Sequence, residues 1–248
     1  MKPLKVFIIF ILYSCNLFSQ CIEQEKIGLG GEFGSIPHTF RCPTYNFSFK
    51  GVESKEWNIV DDPIHITQAG DEVLLIKEQL EKKIMDYSGE DFFSKLTFHS
   101  VEVSYPDSVE KFKTRMPKVD LEKCTAKYFF YYYFVPEDFM KYCIGFALDT
   151  DGNILSNFNF PSKNEYREID KSLNKCEVLD IARATNKEID PIDKISFEYD
   201  DEKKIFYWLI KQKIVNPKEG VNEYNVVVVN AADRTEILSF KRTGFIQF

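Results

Sequence analysis

Hydrophobic residues return at three- and four-residue steps after position 71. Val73, Ile76, Leu80, Ile84 and Tyr87 share one face of a helix, with Lys77, Glu81 and Lys82 on the other. Asp71 reads as its N-cap and Gly89 as its stop. The period then drops to two. His99, Val101, Val103 and Tyr105 alternate with Ser100, Glu102 and Ser104, the pattern of a half-buried strand with His99 on its inward side. Further strands are predicted at 128–135, 142–148 and 154–160. The last two are separated by Asp149-Thr-Asp-Gly-Asn153, where Asp151-Gly152 is a hairpin-turn signal.

The same order of elements then returns. A helix is predicted over 174–185, with Asn174 and Glu177 at capping-box spacing and Cys176, Leu179, Ile181 and Ala182 as its apolar set. Strands follow at 195–199, 205–214, 224–231 and 236–246, with turn signals at Asp200-Asp201, from Pro217 to Gly220, and at Ala232-Asp233. The fold class expected is α+β: two tandem units, 70–161 and 172–248, each a helix followed by a four-stranded antiparallel sheet. The segment 20–69 reads as irregular, with Gly28, Gly30, Gly31 and Gly34 followed by Pro37 and Pro43. The glycines lack the Lys-Ser/Thr ending of a phosphate-binding loop. The closing hairpins also align without a gap, from Cys143 to Ser156 against Val226 to Ser239. Such a match favours an internal duplication.

The first residues change the compartment in which all this is read. Lys2 and Lys5 precede an uninterrupted apolar run from Val6 to Leu12, and the small Ser19 precedes Gln20. That is the pattern of a signal peptide over 1–19, and the run is too short to span a bilayer. Cleavage after Ser19 gives a soluble periplasmic or extracellular protein. The competing reading, Leu12-Tyr13-Ser14-Cys15, resembles a lipoprotein box and would acylate Cys15, the one route by which the protein would be anchored to a membrane. Loss of the leader's two lysines makes the chain more acidic than its formal charge of −7, which argues against nucleic-acid binding. Five cysteines remain: Cys21, Cys42, Cys124, Cys143 and Cys176. Export permits disulfides among them, and Cys21–Cys42 is the nearest pair, in a segment with little else to hold it.

The C-terminal unit resembles the PepSY domain. The resemblance rests on the helix Glu177-Val-Leu-Asp-Ile-Ala182, on Phe206-Tyr-Trp208, and on the hairpin Tyr224-Asn-Val-Val-Val-Val-Asn-Ala-Ala-Asp-Arg-Thr-Glu-Ile-Leu238. Asn230 stands where the family has Asp, and Thr235 where it has Gly. The likeness spans 172–248. It implies a small curved sheet on a helix, of the PepSY and cystatin-like kind, in a secreted bacterial protein that binds or inhibits peptidases. It carries over no catalytic residue, because the family has none.

The search for chemistry is mostly exclusion. His38, His65 and His99 stand in no metal-binding spacing, and neither a nucleophile elbow nor a P-loop occurs. Asp149, Asp151 and Asn153 resemble the start of a calcium loop, but Phe158 occupies the place of the distal Glu. No metal, cofactor or catalytic set is expected. One feature points to function: the strand from Tyr128 is aromatic on both faces. Tyr128, Phe130, Tyr132 and Phe134 fall on one, and Phe129, Tyr131 and Tyr133 on the other. Either both faces are covered, or the second forms a platform for a sugar or peptide. The function expected is therefore noncatalytic binding of a peptide, a protein or a peptidase outside the cytoplasm. A structural or assembly component of the cell envelope is the alternative, and a hydrolase without a recognisable motif a third reading.

Overall fold

The structure is a computed structural model, and it describes residues 21–31, 44–48, 54–57, 66–104, 126–137, 139–216 and 221–245. Residues 1–19, expected above to be a signal peptide, lie outside these, as do Cys42, Cys124, His38 and His65; Cys15 falls within that stretch. The chain is mixed α+β with two sheets. Its strands are β1 (Ile27–Gly28), β2 (Thr44–Ser48), β3 (Ser54–Trp57), β4 (Leu96–Ser104), β5 (Tyr128–Phe134), β6 (Tyr142–Leu148), β7 (Lys194–Asp200), β8 (Ile205–Asn216), β9 (Val221–Asn230) and β10 (Ile237–Phe245). Its helices are α1 (Ile66–Ser88), α2 (Glu90–Phe93) and α3 (Lys175–Thr185), with a 3-10 turn at Gln24–Lys26. Two compact units result. One comprises Leu29–Ile169 and Phe197–Phe206; the other comprises Asp170–Ser196, Tyr207–Phe248 and the residues before Leu29. Among the described residues, no helix is long and apolar enough to cross a membrane.

In the first unit α1 covers the antiparallel strands β4, β5 and β6, and β2 and β3 extend the sheet beyond β4. Val73, Leu80 and Ile84 of α1 are buried, as are Tyr128, Phe130, Tyr132 and Phe134 of β5. The helix starts at Ile66, so Asp71 is an interior residue and not the cap expected. Gln68 and Ala69 favour helix strongly enough to carry it past a lone glycine. Gly89 does end it. Its φ is +82°, a conformation costly for other residues, and its N–H donates to the Met85 carbonyl at 2.9 Å. The chain re-enters at once as α2 and delivers Phe92 into the core, stacked on Phe134 at 4.3 Å and Phe160 at 5.2 Å.

Two further expectations fail in this unit. Residues 154–160 form no strand. Ile154 makes a single bridge to Leu148, after which the chain turns inward. Phe158 stacks on Tyr87 at 4.4 Å and Phe160 is buried, so the alternating aromatics plug the core beside α1 instead of continuing the sheet. His99 is not on the inward face. A β-bulge lies between Phe98, which pairs with Tyr132, and Ser100, which pairs with Tyr131. His99 is the extra residue. The bulge keeps Phe98 on the core side with Val101 and Val103 and releases His99 to the other side.

The second unit lays α3 on a sheet ordered β1-β7-β8-β9-β10. Asn174 caps α3: its Oδ1 accepts from the Cys176 and Glu177 amides at 2.9 and 3.2 Å. The reciprocal half of a capping box is missing, because the Asn174 amide donates to the Ser172 carbonyl. Val178, Leu179 and Ala182 of α3 are buried, as are Trp208, Ile210, Val227 and Val229, which share one face of β8 and β9. A buried amide pair interrupts this apolar face. Asn225 and Gln212 stand directly opposite on β9 and β8. Asn225 Nδ2 donates to Gln212 Oε1 at 2.7 Å and to the Glu188 carbonyl at 3.1 Å, and Gln212 Nε2 donates to the Asp190 carbonyl at 2.5 Å. The pair thus satisfies two carbonyls of the loop that follows α3.

The N-terminal segment is neither wholly irregular nor closed by the bridge expected. Cys21 is bonded to Cys176, not to Cys42. Proximity in sequence was the wrong guide: β1 runs parallel to β7 with Ile27 opposite Ile195, which carries Cys21 towards the first turn of α3. The aligned hairpins are not superposable residue for residue. The first pairs Leu148 with Ile154 and is centred on Asp151. The second pairs Val229 with Ile237 and is centred on Asp233, which the alignment matches to Thr150.

Candidate binding face on the aromatic strand

Strand β5 sorts its seven aromatic residues by face. Tyr128, Phe130, Tyr132 and Phe134 are buried, and Phe129, Tyr131 and Tyr133 are half-buried. The choice between Tyr and Phe on the core face follows from α1. Tyr128 Oη donates to Glu72 Oε1 at 2.5 Å, and Tyr132 Oη reaches Glu81 Oε1 at 3.4 Å. Both hydroxyls find a carboxylate on the helix above them, which a buried tyrosine requires. Hydrogen bonds from Lys127 and then Tyr128 hold the Glu72 carboxyl below the usual range.

The other face is the candidate site. Each of its aromatic residues stands opposite a small residue of β6: Phe129 opposite Ala147, Tyr131 opposite Gly145, and Tyr133 opposite Cys143. Large rings can lie over small neighbours in this arrangement, which accounts for the low exposure of Cys143 and Ala147, 5% each. On the other side, Glu102 stands opposite Phe129 and Ser100 opposite Tyr131. His99, freed by the bulge, packs against Tyr133 with centroids 4.5 Å apart and the rings tilted by 31°. Lys141 Nζ sits 5.6 Å from the centroid of the same ring.

The electrostatics single out one group. Glu102 makes no hydrogen bond or ion pair among the described residues, and burial raises its pKa above the usual glutamate value. Burial, followed by the nearby Glu102, raises the Tyr131 phenol. The Cys143 thiol is unbonded and pushed up to about 11 by burial, which makes it inert as a nucleophile. Among the described residues, the face therefore offers aromatic rings and one half-buried carboxylate.

Asp149 uses its carboxylate within its own turn, accepting from the Asp151 and Asn153 amides at 2.9 and 2.8 Å. Among the described residues, no group of three or more acidic, histidine or cysteine side chains is placed to hold a metal. Sequence reading identified Phe129, Tyr131 and Tyr133 but not Glu102 or His99. Glu102 was legible as the polar partner of an alternating strand, whereas His99 reaches the face only through the bulge. Compared with protein families, curated proteins and solved structures, the chain matches none.

Proposed function

We propose that the protein is an exported, noncatalytic binding protein that engages a peptide or protein through the outer face of β5. The observation that carries this reading is the half-buried row Phe129, Tyr131 and Tyr133 beside an unpartnered Glu102. A carboxylate already stripped of much of its water, next to aromatic faces, suits a lysine or arginine side chain. The cation gains an ion pair and ring contacts together, and Lys141 over Tyr133 is a local precedent. The Cys21–Cys176 bridge supports export, since such bonds persist in oxidising compartments. Helix α3 on an antiparallel hairpin sheet supports the PepSY-like reading of the C-terminal unit and, with it, a peptide or peptidase as partner.

Calorimetric titration tests this with an extended peptide carrying one central lysine and its norleucine analogue. The lysine peptide is expected to bind more tightly. Glu102→Gln should erase that preference, and Tyr131→Ala with Tyr133→Ala should erase binding while the circular dichroism spectrum is kept. Equal affinity of both peptides for the native protein and for Glu102→Gln would refute the role given to this face.

A further inference from the structure

The second unit ends in a strand whose outer edge is vacant among the described residues. β10 is last in its sheet, and its side chains from Leu238 to Thr243 are exposed, including Leu238 at 53% and Phe240 at 46%. A long edge strand with exposed apolar residues is a template for pairing. β10 is also held firmly on its inner side. It pairs with β9 from Ile237 to Phe245, Ser239 accepts from Asn186 Nδ2 at 3.2 Å, and Lys241 pairs with Glu188 at 3.1 Å.

The ladder determines which groups face outward. The Asn230 amide donates to the Glu236 carbonyl directly opposite, so this is a hydrogen-bonded pair. By antiparallel alternation Leu238, Phe240 and Arg242 spend their backbone groups on β9. Those of Ser239, Lys241 and Thr243 point away from the sheet. The side chains divide the same way. Leu238, Phe240 and Arg242 share the face turned away from α3 with Leu209, Val228 and Tyr224. That face is apolar near the turn and basic further along, where Lys213 and Arg242 flank Tyr224. Neither makes an ion pair among the described residues, in a chain whose net charge is −7.

We infer that β10 receives an extended peptide by antiparallel strand addition. The partner reads, from N to C terminus, acidic, any residue, apolar, any residue, apolar. Its acidic residue lies opposite Arg242 and its apolar residues opposite Phe240 and Leu238. The intervening residues take the free N–H and C=O groups of Lys241 and Ser239. Backbone bonds supply affinity and alternate side chains supply selectivity. Neither proposal depends on the other.

The test is fluorescence anisotropy with the labelled peptide Thr-Glu-Thr-Val-Thr-Val-Thr, capped at both ends. Saturable binding is expected. N-methylation of the threonine amides should abolish it, while N-methylation of the glutamate and valine amides should leave it. Arg242→Glu should weaken binding by about tenfold, and replacing the peptide's glutamate with lysine should restore it in that variant. Thr243→Pro removes an outward N–H without touching the β9 ladder, and should weaken binding while the fold is kept. Three results would overturn the inference: no binding, binding blind to the position of N-methylation, or light scattering showing a dimer that Thr243→Pro dissolves. In the last case a second copy is the true occupant.

Discussion

The Cys21–Cys176 bond is the strongest test of how the N-terminal segment is held. Replacing both cysteines with serine removes a cross-link between residues 155 apart in sequence. Chain-entropy arguments give such a closure a ceiling of about 5 kcal/mol, with about 2–4 kcal/mol typical. The segment has little else in its favour. Ile22 is its one buried apolar residue, and β1 pairs with β7 over two residues. Burying one isoleucine contributes about 1.5–3 kcal/mol. Ordering each residue from Cys21 to Gly28 costs roughly 1–2 kcal/mol. Without the bond the segment should therefore detach before the sheet unfolds. Beyond it the chain is clasped again, with Gly30 donating to the Lys141 carbonyl and accepting from the Cys143 amide. Limited trypsin digestion should accordingly gain a cut at Lys26 in the double variant, and the urea midpoint should fall by an amount equivalent to about 2–5 kcal/mol. An unchanged midpoint together with unchanged protection at Lys26 would refute the reasoning. A lower midpoint without the new cut would place the stabilisation in the unfolded chain instead of in the strap.

Other expectations follow from single groups. Phe134, buried between Phe92 at 4.3 Å and Phe206 at 4.8 Å, should cost about 3–5 kcal/mol as Phe134→Ala in urea unfolding. Asn225→Ala leaves Gln212 and the Glu188 carbonyl without their shared donor and should cost about 1–3 kcal/mol. Asn225→Leu with Gln212→Leu should cost less than the two single changes added together, which a double-mutant cycle would show. Glu102 has its folded pKa raised by burial, so its contribution to stability is intact below the unfolded glutamate value of about 4.3 and is lost as pH rises through the raised one. Glu102→Gln should therefore flatten the fall in thermal midpoint on raising the pH from acid to neutral, and an unaltered slope would remove Glu102 from the account. Gly30→Ala should prevent soluble expression, because the added Cβ would fall 1.5 Å from the Phe197 carbonyl oxygen.

What the sequence disclosed and what it withheld divide along a physical line. Regular repeats were legible. The strands of the second unit lie within a few residues of their predicted bounds because β-branched and aromatic residues are concentrated there between turn signals. The two faces of β5 were legible for the same reason. Departures from the period were not. One added residue in β4 carries His99 from the core side to the candidate face, and no local signal distinguishes a bulge from an unbroken strand. Residues 154–160 alternate as a strand does, yet Phe158 and Phe160 gain more by packing against Tyr87 and Phe92 than by continuing a ladder. Partners distant in sequence were invisible as well. Cys21 meets Cys176 because β1 joins the far edge of a sheet whose other strands lie after residue 190. These failures bear on function, since the bulge and the half-buried Glu102 are what distinguish the outer face of β5 from a second core. A variant deleting His99 should restore unbroken alternation in β4. Phe98 and Val101 would both stay on the core side, and only the His99 ring would be lost from the aromatic face. The measurement is the lysine preference of the deletion variant. Its loss with the fold intact would show that the bulge exists to build the face, and its retention would show that Glu102 and Tyr131 suffice.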